Sequence, residues 1–162
     1  MSPISLEPPP FEFPEDETTF TPGSSQPQRI LVAEDDSDIR ELYFEVLIGS
    51  GYYVDTAEDG AAGWQMLHTS GETQPGYDLL ITDNEMPKLT GVELIEKVRF
   101  AHMTLPVILA SGSAPTNTTP LQLAAILPKP FSLDQLMKTV EAVLHAADGN
   151  LVNHRKMATE QL

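Results

Sequence analysis

The sequence predicts an α/β protein, a doubly wound sheet of five parallel strands with helices on both faces, spanning residues 29–148. Three observations carry this expectation. Five short apolar runs bounded by turn residues have the length and unbroken hydrophobicity of strands buried on both sides. Between them lie stretches where apolar residues recur at helical spacing. The alternation of the two leaves right-handed crossovers as connections, and these admit few ways to wind the chain.

The elements follow in order. After Arg29 comes the run Ile30-Leu31-Val32-Ala33, then Ile39, Leu42, Tyr43, Val46 and Leu47 at i, i+3, i+4, i+7 and i+8, one face of a helix that Gly49-Ser50-Gly51 stops. Tyr52-Tyr53-Val54 is the second strand. A weaker helix runs from Ala61 to His68, thinned by Gly63 and closed by the loop T-S-G-E-T-Q-P-G. Leu79-Leu80-Ile81-Thr82 is the third strand, and Leu94, Ile95 and Val98 mark a helix after Gly91. The fourth strand is Val107-Ile108-Leu109-Ala110. The following S-G-S-A-P-T-N-T-T-P contains two prolines, which reduces the fourth helix to a short piece, roughly Leu121 to Ala125. Ile126-Leu127 is the last strand. The final helix opens with Ser132-Leu133-Asp134-Gln135, a capping-box spacing, and sets Leu133, Leu136, Met137, Val140 and Leu144 on one face. Asp148-Gly149-Asn150 is expected to end it, with the remaining L-V-N-H-R-K-M-A-T-E-Q-L of the 149–162 tail continuing the helix or fraying.

Residues 1–28 have a different composition. They hold seven of the fourteen prolines, five acids and no Lys or Arg, so they lack the apolar area that would offset chain entropy. A disordered, Pro-rich acidic leader is expected, with Phe11, Phe13 and Phe20 as a weaker candidate for a docking motif.

Bulk chemistry excludes several classes. No cysteine is present, which rules out disulfides and thiolate metal sites and suits a reducing compartment. The chain has 24 Asp+Glu against 9 Lys+Arg, a net charge of -15, which repels phosphate backbones, so direct nucleic-acid binding is not expected. No basic and apolar export signal and no long apolar run is found, so a cytoplasmic protein without membrane contact is expected.

The chemistry gathers at strand ends. The first strand ends in Glu34-Asp35-Asp36, the third in Asp83, the fourth in Ser111-Gly112 and the fifth in Lys129-Pro130. Singly each has a plain reading: turn residue, helix cap or surface charge. Together they face one rim of one sheet, where ligands of doubly wound folds sit. Carboxylates crowded there need a cation among them, and carboxylates from two adjacent strand ends suit Mg²⁺. A carboxylate is also a nucleophile toward phosphorus when metal and lysine neutralise the phosphoryl charge, Lys129 being the lysine. Ser111 offers a hydroxyl to a phosphoryl oxygen.

The segments I-L-V-A-E-D-D, L-L-I-T-D-N-E-M-P-K-L-T-G, L-P-V-I-L-A-S-G and I-L-P-K-P-F resemble, in order and spacing, the receiver domain of two-component response regulators, in its stand-alone, chemotaxis-regulator-like form. The resemblance implies a flavodoxin-like strand order 2-1-3-4-5. It implies Asp83 as phosphoacceptor, Asp35 as a direct Mg²⁺ ligand, Glu34 acting through metal-bound water, and the main-chain carbonyl of Glu85 as a further ligand. It makes Ser111 the hydroxyl switch and Lys129 the phosphate-binding lysine, with a cis Lys129–Pro130 bond. Met86 would sit beneath the loop, Pro87 would fix its turn, and Gly112 would leave the approach open. The partners implied are a histidine kinase or histidine phosphotransfer protein and an unidentified downstream protein target. The role implied is a switch that catalyses only its own phosphorylation and dephosphorylation.

The chain departs from the family pattern in two places. The family often has Tyr or Phe three residues before the lysine, and this chain has Ile126. The shortened fourth helix removes part of the usual output surface, so output through a neighbouring face or the tails is expected. Glu85 and Ser113 are expected to flank the mouth of the site, with Glu85 tuning the approach of water or phosphodonor. Asp36 reads as an exposed loop or capping residue, Trp64 as core or half-buried, and the four histidines as surface residues. The alternative reading is a degenerate receiver-fold scaffold that binds partners without phosphorylation. An aspartyl-phosphate hydrolase fits less well, because Asp36-x-Asp38 lies too far past the strand, and an EF-hand lacks its glycine and terminal glutamate.

Overall fold

The computed structural model describes residues 26–72, 74–113 and 115–159, with side chains described as far as Asn150. The proposed leader motif of Phe11, Phe13 and Phe20 lies outside the described residues. Strands β1 (Arg29–Ala33), β2 (Tyr53–Ala57), β3 (Leu79–Asp83), β4 (Val107–Ser111) and β5 (Ala125–Pro128) form one parallel sheet in the order β2-β1-β3-β4-β5. Because β2 lies on one side of β1 and the other strands on the opposite side, the winding reverses between β1 and β3, which opens a crevice at their carboxyl ends. The pairs Ala33↔Thr82, Asp83↔Ala110 and Ser111↔Pro128 bring four strand ends level with one another.

Alternate strand residues feed two cores. Ile30, Val32, Leu79, Ile81 and Ile108 pack against Tyr43 and Leu47 of α1 (Ser37–Gly49) and Leu136, Val140 and Leu144 of α4 (Leu133–Thr159). Leu31, Ala33, Leu80 and Leu109 face the other way, onto Leu67 of α2 (Gly60–Thr69) and Leu94, Ile95 and Val98 of α3 (Gly91–Phe100). Two helices begin with reciprocal caps. Glu93 N donates to Thr90 Oγ1 at 3.2 Å while Thr90 N donates to Glu93 Oε2 at 2.8 Å. Gln135 N donates to Ser132 Oγ at 3.1 Å and Ser132 N to Gln135 Oε1 at 2.8 Å, the box expected from the sequence.

Three elements differ from the sequence-based expectation. The second strand begins at Tyr53 and extends to Ala57, because its pairing with β1 from Arg29↔Tyr53 to Ala33↔Ala57 carries it past the apolar run. The fourth helix is shortened as expected, but it is a 3₁₀ turn at Thr119–Leu121 and not a piece from Leu121 to Ala125. Pro120 lies in its first turn, Gln122 closes it with φ 49, and pairing with Ile108 already claims Ala125 for β5. Finally, α4 runs through Gly149 to Thr159. One interior glycine costs a helix about 1 kcal/mol, and the neighbouring Ala146, Ala147 and Leu151 are strong helix formers.

Candidate functional site

The β1–α1 loop is held from both ends. Glu34 N donates to Ala57 O at 3.1 Å, extending the β1–β2 ladder by one step, and Asp36 caps α1 by accepting from Asp38 N at 3.0 Å and Ile39 N at 3.1 Å. Arg40 folds back from α1 and donates to the main-chain oxygens of Glu34 at 2.7 Å and Asp35 at 3.3 Å. The loop's backbone is thus tied down while its carboxylates remain free to converge. Sequence reasoning missed Arg40; the visible signal was one cation shortly after a run of acids.

Glu34, Asp35 and Asp83 do converge. One oxygen from each lies within 4.8 Å of the others. Glu34 is 2% exposed and Asp83 5% exposed, whereas Asp35 is open to solvent. Glu34 Oε1 accepts from Asp36 N at 3.2 Å, but Oε2 is buried and has no hydrogen-bond partner among the described residues. Lys129 enters from the end of β5, its Nζ 2.9 Å from Asp83 Oδ1 and 3.8 Å from Glu34 Oε2. The second distance is an electrostatic contact, too long for a hydrogen bond.

The electrostatics follow from this crowding. Burial pushes the Glu34 carboxyl up to about 7; the Asp36 N–H opposes that, the Asp83 charge adds to it, and Lys129 opposes it again. For Lys129, burial works against the charge, but the hydrogen bond to Asp83 and the charges of Glu34 and Asp83 outweigh it and leave the ammonium above its ordinary range. Burial likewise pushes the Tyr43 hydroxyl, beneath the site, up to about 12. A buried carboxylate oxygen without a donor, beside two further carboxylates, is an arrangement that a hard divalent cation satisfies. The residues present fit Mg²⁺.

Of the remaining predicted residues, Ser111 stands at the same rim. Ser111 is buried at the end of β4, and Lys129 N donates to its main-chain oxygen at 2.9 Å. Its hydroxyl donates to Ser113 O and accepts from Ser113 N at 3.2 Å, so the side chain is engaged with its own loop. Glu85 is exposed, Met86 is buried, Gly112 is exposed, and the Lys129–Pro130 bond is cis. Trp64 and Ile126 are half-buried, and His68, His102 and His145 are exposed; the side chain of His154 is outside the described residues. The loop after β3 is braced by Asn84, whose N–H donates to Ala110 O at 3.0 Å and whose Oδ1 accepts from Val92 N at 3.1 Å. Gly91 closes that loop so tightly that a Cβ there would lie 2.2 Å from Asp83 O.

Residues 30–141 match the family profile described as the response regulator receiver domain. The response regulator receiver protein CpdR of Brucella abortus is 34% identical over 74% of this chain and 99% of its own length. The transcriptional regulatory protein TctD of Salmonella typhimurium is 32% identical over 76% of this chain but only 54% of its own, so the similarity covers about half of that longer protein. Among solved structures, the Thermotoga maritima response regulator TrrA in complex with Mg²⁺ and BeF is 30% identical with a TM-score of 0.62, covering 72% of this chain and 98% of its own. The receiver domain of Francisella response regulator 1452 is 27% identical with a TM-score of 0.66, covering 74% and 98%.

Proposed function

The chain belongs to the response regulator receiver domain family of two-component signalling, whose members are phosphoacceptor switches and not metabolic enzymes, and on that premise we propose that Asp83 accepts a phosphoryl group from a histidine kinase or histidine phosphotransfer protein. The observation that carries the reading is the Glu34–Asp35–Asp83 cluster, two of its carboxylates buried and Asp35 open to solvent, with Lys129 on Asp83 at 2.9 Å. Glu34, Asp35, Asp83 and the main-chain carbonyl of Glu85 would hold Mg²⁺. A divalent ion there supplies charge neutralisation on the phosphoryl oxygens.

The chain's own residues do the rest. A carboxylate oxygen of Asp83 attacks phosphorus, and the P–N bond of the phosphohistidine breaks with its electron pair passing to the imidazole nitrogen, which takes a proton from solvent. Lys129 is already in contact with the nucleophile and moves its charge to a phosphoryl oxygen as Asp83 becomes an acyl phosphate. The Ser111 hydroxyl leaves its hydrogen bonds with Ser113 to reach the phosphoryl group, so its orientation reports phosphorylation. Glu85, exposed at the mouth, tunes the approach of water and phosphodonor. Equal acyl-phosphate lifetimes in wild type and Glu85→Asn would remove that role. The switched property is binding to a downstream protein, and the net charge of -15 argues against direct nucleic-acid contact.

The test is Mg²⁺-dependent phosphorylation by acetyl phosphate, lost in Asp83→Asn; full labelling of that variant would count against the assignment. A second reading, a receiver-fold scaffold acting without phosphorylation, draws support from Ile126 and from the 3₁₀ turn in place of a fourth helix. No change in partner binding on adding Mg²⁺ and beryllofluoride would favour it. Among the described residues no helix is long and apolar enough to cross a membrane, in keeping with a cytoplasmic setting for the switch.

A further inference from the structure

We propose that the ion pair between Lys88 and Asp59 is a positioning device for the metal site: by tying the loop after β3 to the start of α2 it fixes the segment that carries the Glu85 carbonyl, an inference that rests on the function proposed above. Lys88 and Asp59 touch none of the carboxylates that would hold the ion. Their influence would pass through the backbone.

The loop from Asn84 to Thr90 is hydrogen-bonded at its ends, while its middle is held by the packing of Met86 and Leu89 and by few polar contacts. Asn84 bonds Ala110 O, and Gly91 N bonds Asn84 O at 3.0 Å. Among the described residues, the hydrogen bonds and ion pairs that join residues 85–89 to the rest of the protein reduce to one, Lys88 Nζ to Asp59 Oδ2 at 3.0 Å. The chain accepts an uncommon backbone to make it. Lys88 has φ 66, a left-handed conformation seen in a few per cent of non-glycine residues. A glycine would take that conformation freely, but a glycine has no side chain with which to reach Asp59.

The receiving end is built for the contact. Asp59 is 3% exposed, and its two oxygens divide their work: Oδ1 accepts from Ala62 N at 2.8 Å as the cap of α2, and Oδ2 takes Lys88. Its carboxyl is held below the usual range, first by the Ala62 N–H and then by Lys88, so it is charged at neutral pH. The next residue, Gly60, meets the same loop so closely that a Cβ would lie 2.2 Å from Leu89 O. Shape at Gly60 and charge at Asp59 therefore register α2 against the two residues that follow Pro87.

Calorimetric titration of the full chain with Mg²⁺ alone, for wild type, Lys88→Met, Asp59→Asn, the double variant and Lys88→Arg, tests the proposal. Asparagine keeps a capping oxygen for α2 and removes only the charge. Expected is a Kd about tenfold weaker in each broken pair, the loss usual when a partner that orients a metal ligand is removed. The double variant should be no weaker than either single one, and Lys88→Arg should restore most of the affinity. A pair that serves stability alone would lower the thermal midpoint and leave the Kd of the folded protein at the wild-type value, which would overturn the proposal. Where Lys88→Met fails to fold, Lys88→Gly relaxes the backbone while still removing the pair, and wild-type affinity in it would overturn the proposal equally. Wild-type protein that takes up no Mg²⁺ would overturn both this inference and the function proposed above; binding by wild type with unchanged variants overturns this inference alone.

Discussion

Lys129 Nζ lies 2.9 Å from Asp83 Oδ1, and among the described residues Lys129 is the one cation in contact with the carboxylates of Asp83 and Glu34. On the function proposed above, the same ammonium would serve two states: it neutralises the cluster when no phosphoryl group is present and would meet that group when one arrives. Lys129→Ala should lower the stability of metal-free protein by about 3 kcal/mol, because it leaves buried carboxylates unpaired. It should also abolish efficient phosphorylation by acetyl phosphate. Denaturant titration in EDTA reads the first effect, and an unchanged midpoint would show that the pair is not coupled to folding.

Glu34 makes the metal-free protein sensitive to pH. Burial raises its carboxyl from the ordinary value of 4.5 to about 7 on folding. A raised carboxyl favours the protonated form in the folded state, so its penalty is absent below about pH 4.5, grows between 4.5 and 7, and is complete above 7. The shift corresponds to roughly 3 kcal/mol at the top of that window. In EDTA, Glu34→Gln should remove this part of the pH dependence while weakening Mg²⁺ binding. A wild-type stability curve with no loss between those pH values would contradict the burial of this charge.

Gly91→Ala tests the fit of the loop behind Asp83, the proposed phosphoacceptor. The added Cβ would meet Asp83 O and, at 2.9 Å, Asn84 Cα, both backbone atoms with little room to move. Overpacking of this kind costs about 3 kcal/mol. A lowered thermal midpoint together with slower phosphorylation is expected, since the displaced atom belongs to Asp83 itself.

Arg99 holds the segment where a fourth helix was expected. Its guanidinium donates to the main-chain oxygens of Leu121 at 2.9 Å, Met103 at 2.9 Å, Leu105 at 3.0 Å and Gln122 at 3.0 Å. Arg99→Met keeps the stem and strands these oxygens, at a cost of about 2 kcal/mol. Hydrogen exchange should accelerate in residues 119–124 and stay slow in β4; equal acceleration in both would mean that the arginine supports the whole sheet and not this turn.

The sheet was legible because its strands are unbroken apolar runs, and a buried parallel strand needs nothing else from the sequence. The rim was legible for a related reason: topology puts every strand's carboxyl end on one edge, so Glu34, Asp35, Asp83, Ser111 and Lys129 could be placed together before any contact was known. Contacts that depend on where a side chain turns were not legible. The Ser111 hydroxyl on Ser113, Arg40 on two loop oxygens and Lys88 on Asp59 join residues whose spacing carries no period. The 3₁₀ turn was misplaced because the helix signal at Leu121–Ala125 competes with β5 for Ala125, and sheet pairing won. The run of α4 past Gly149 reflects the opposite balance, local helix propensity outweighing a stop signal.

Identifying the modified atom tests the central claim most directly. After treatment with acetyl phosphate and Mg²⁺, borohydride reduces an acyl phosphate to an alcohol, and peptide mass spectrometry locates the change. Homoserine in place of Asp83, dependent on Mg²⁺ and absent from untreated protein, is the expected result. Reduction at another carboxylate, or none in protein shown to bind Mg²⁺, would contradict Asp83 as the phosphoacceptor.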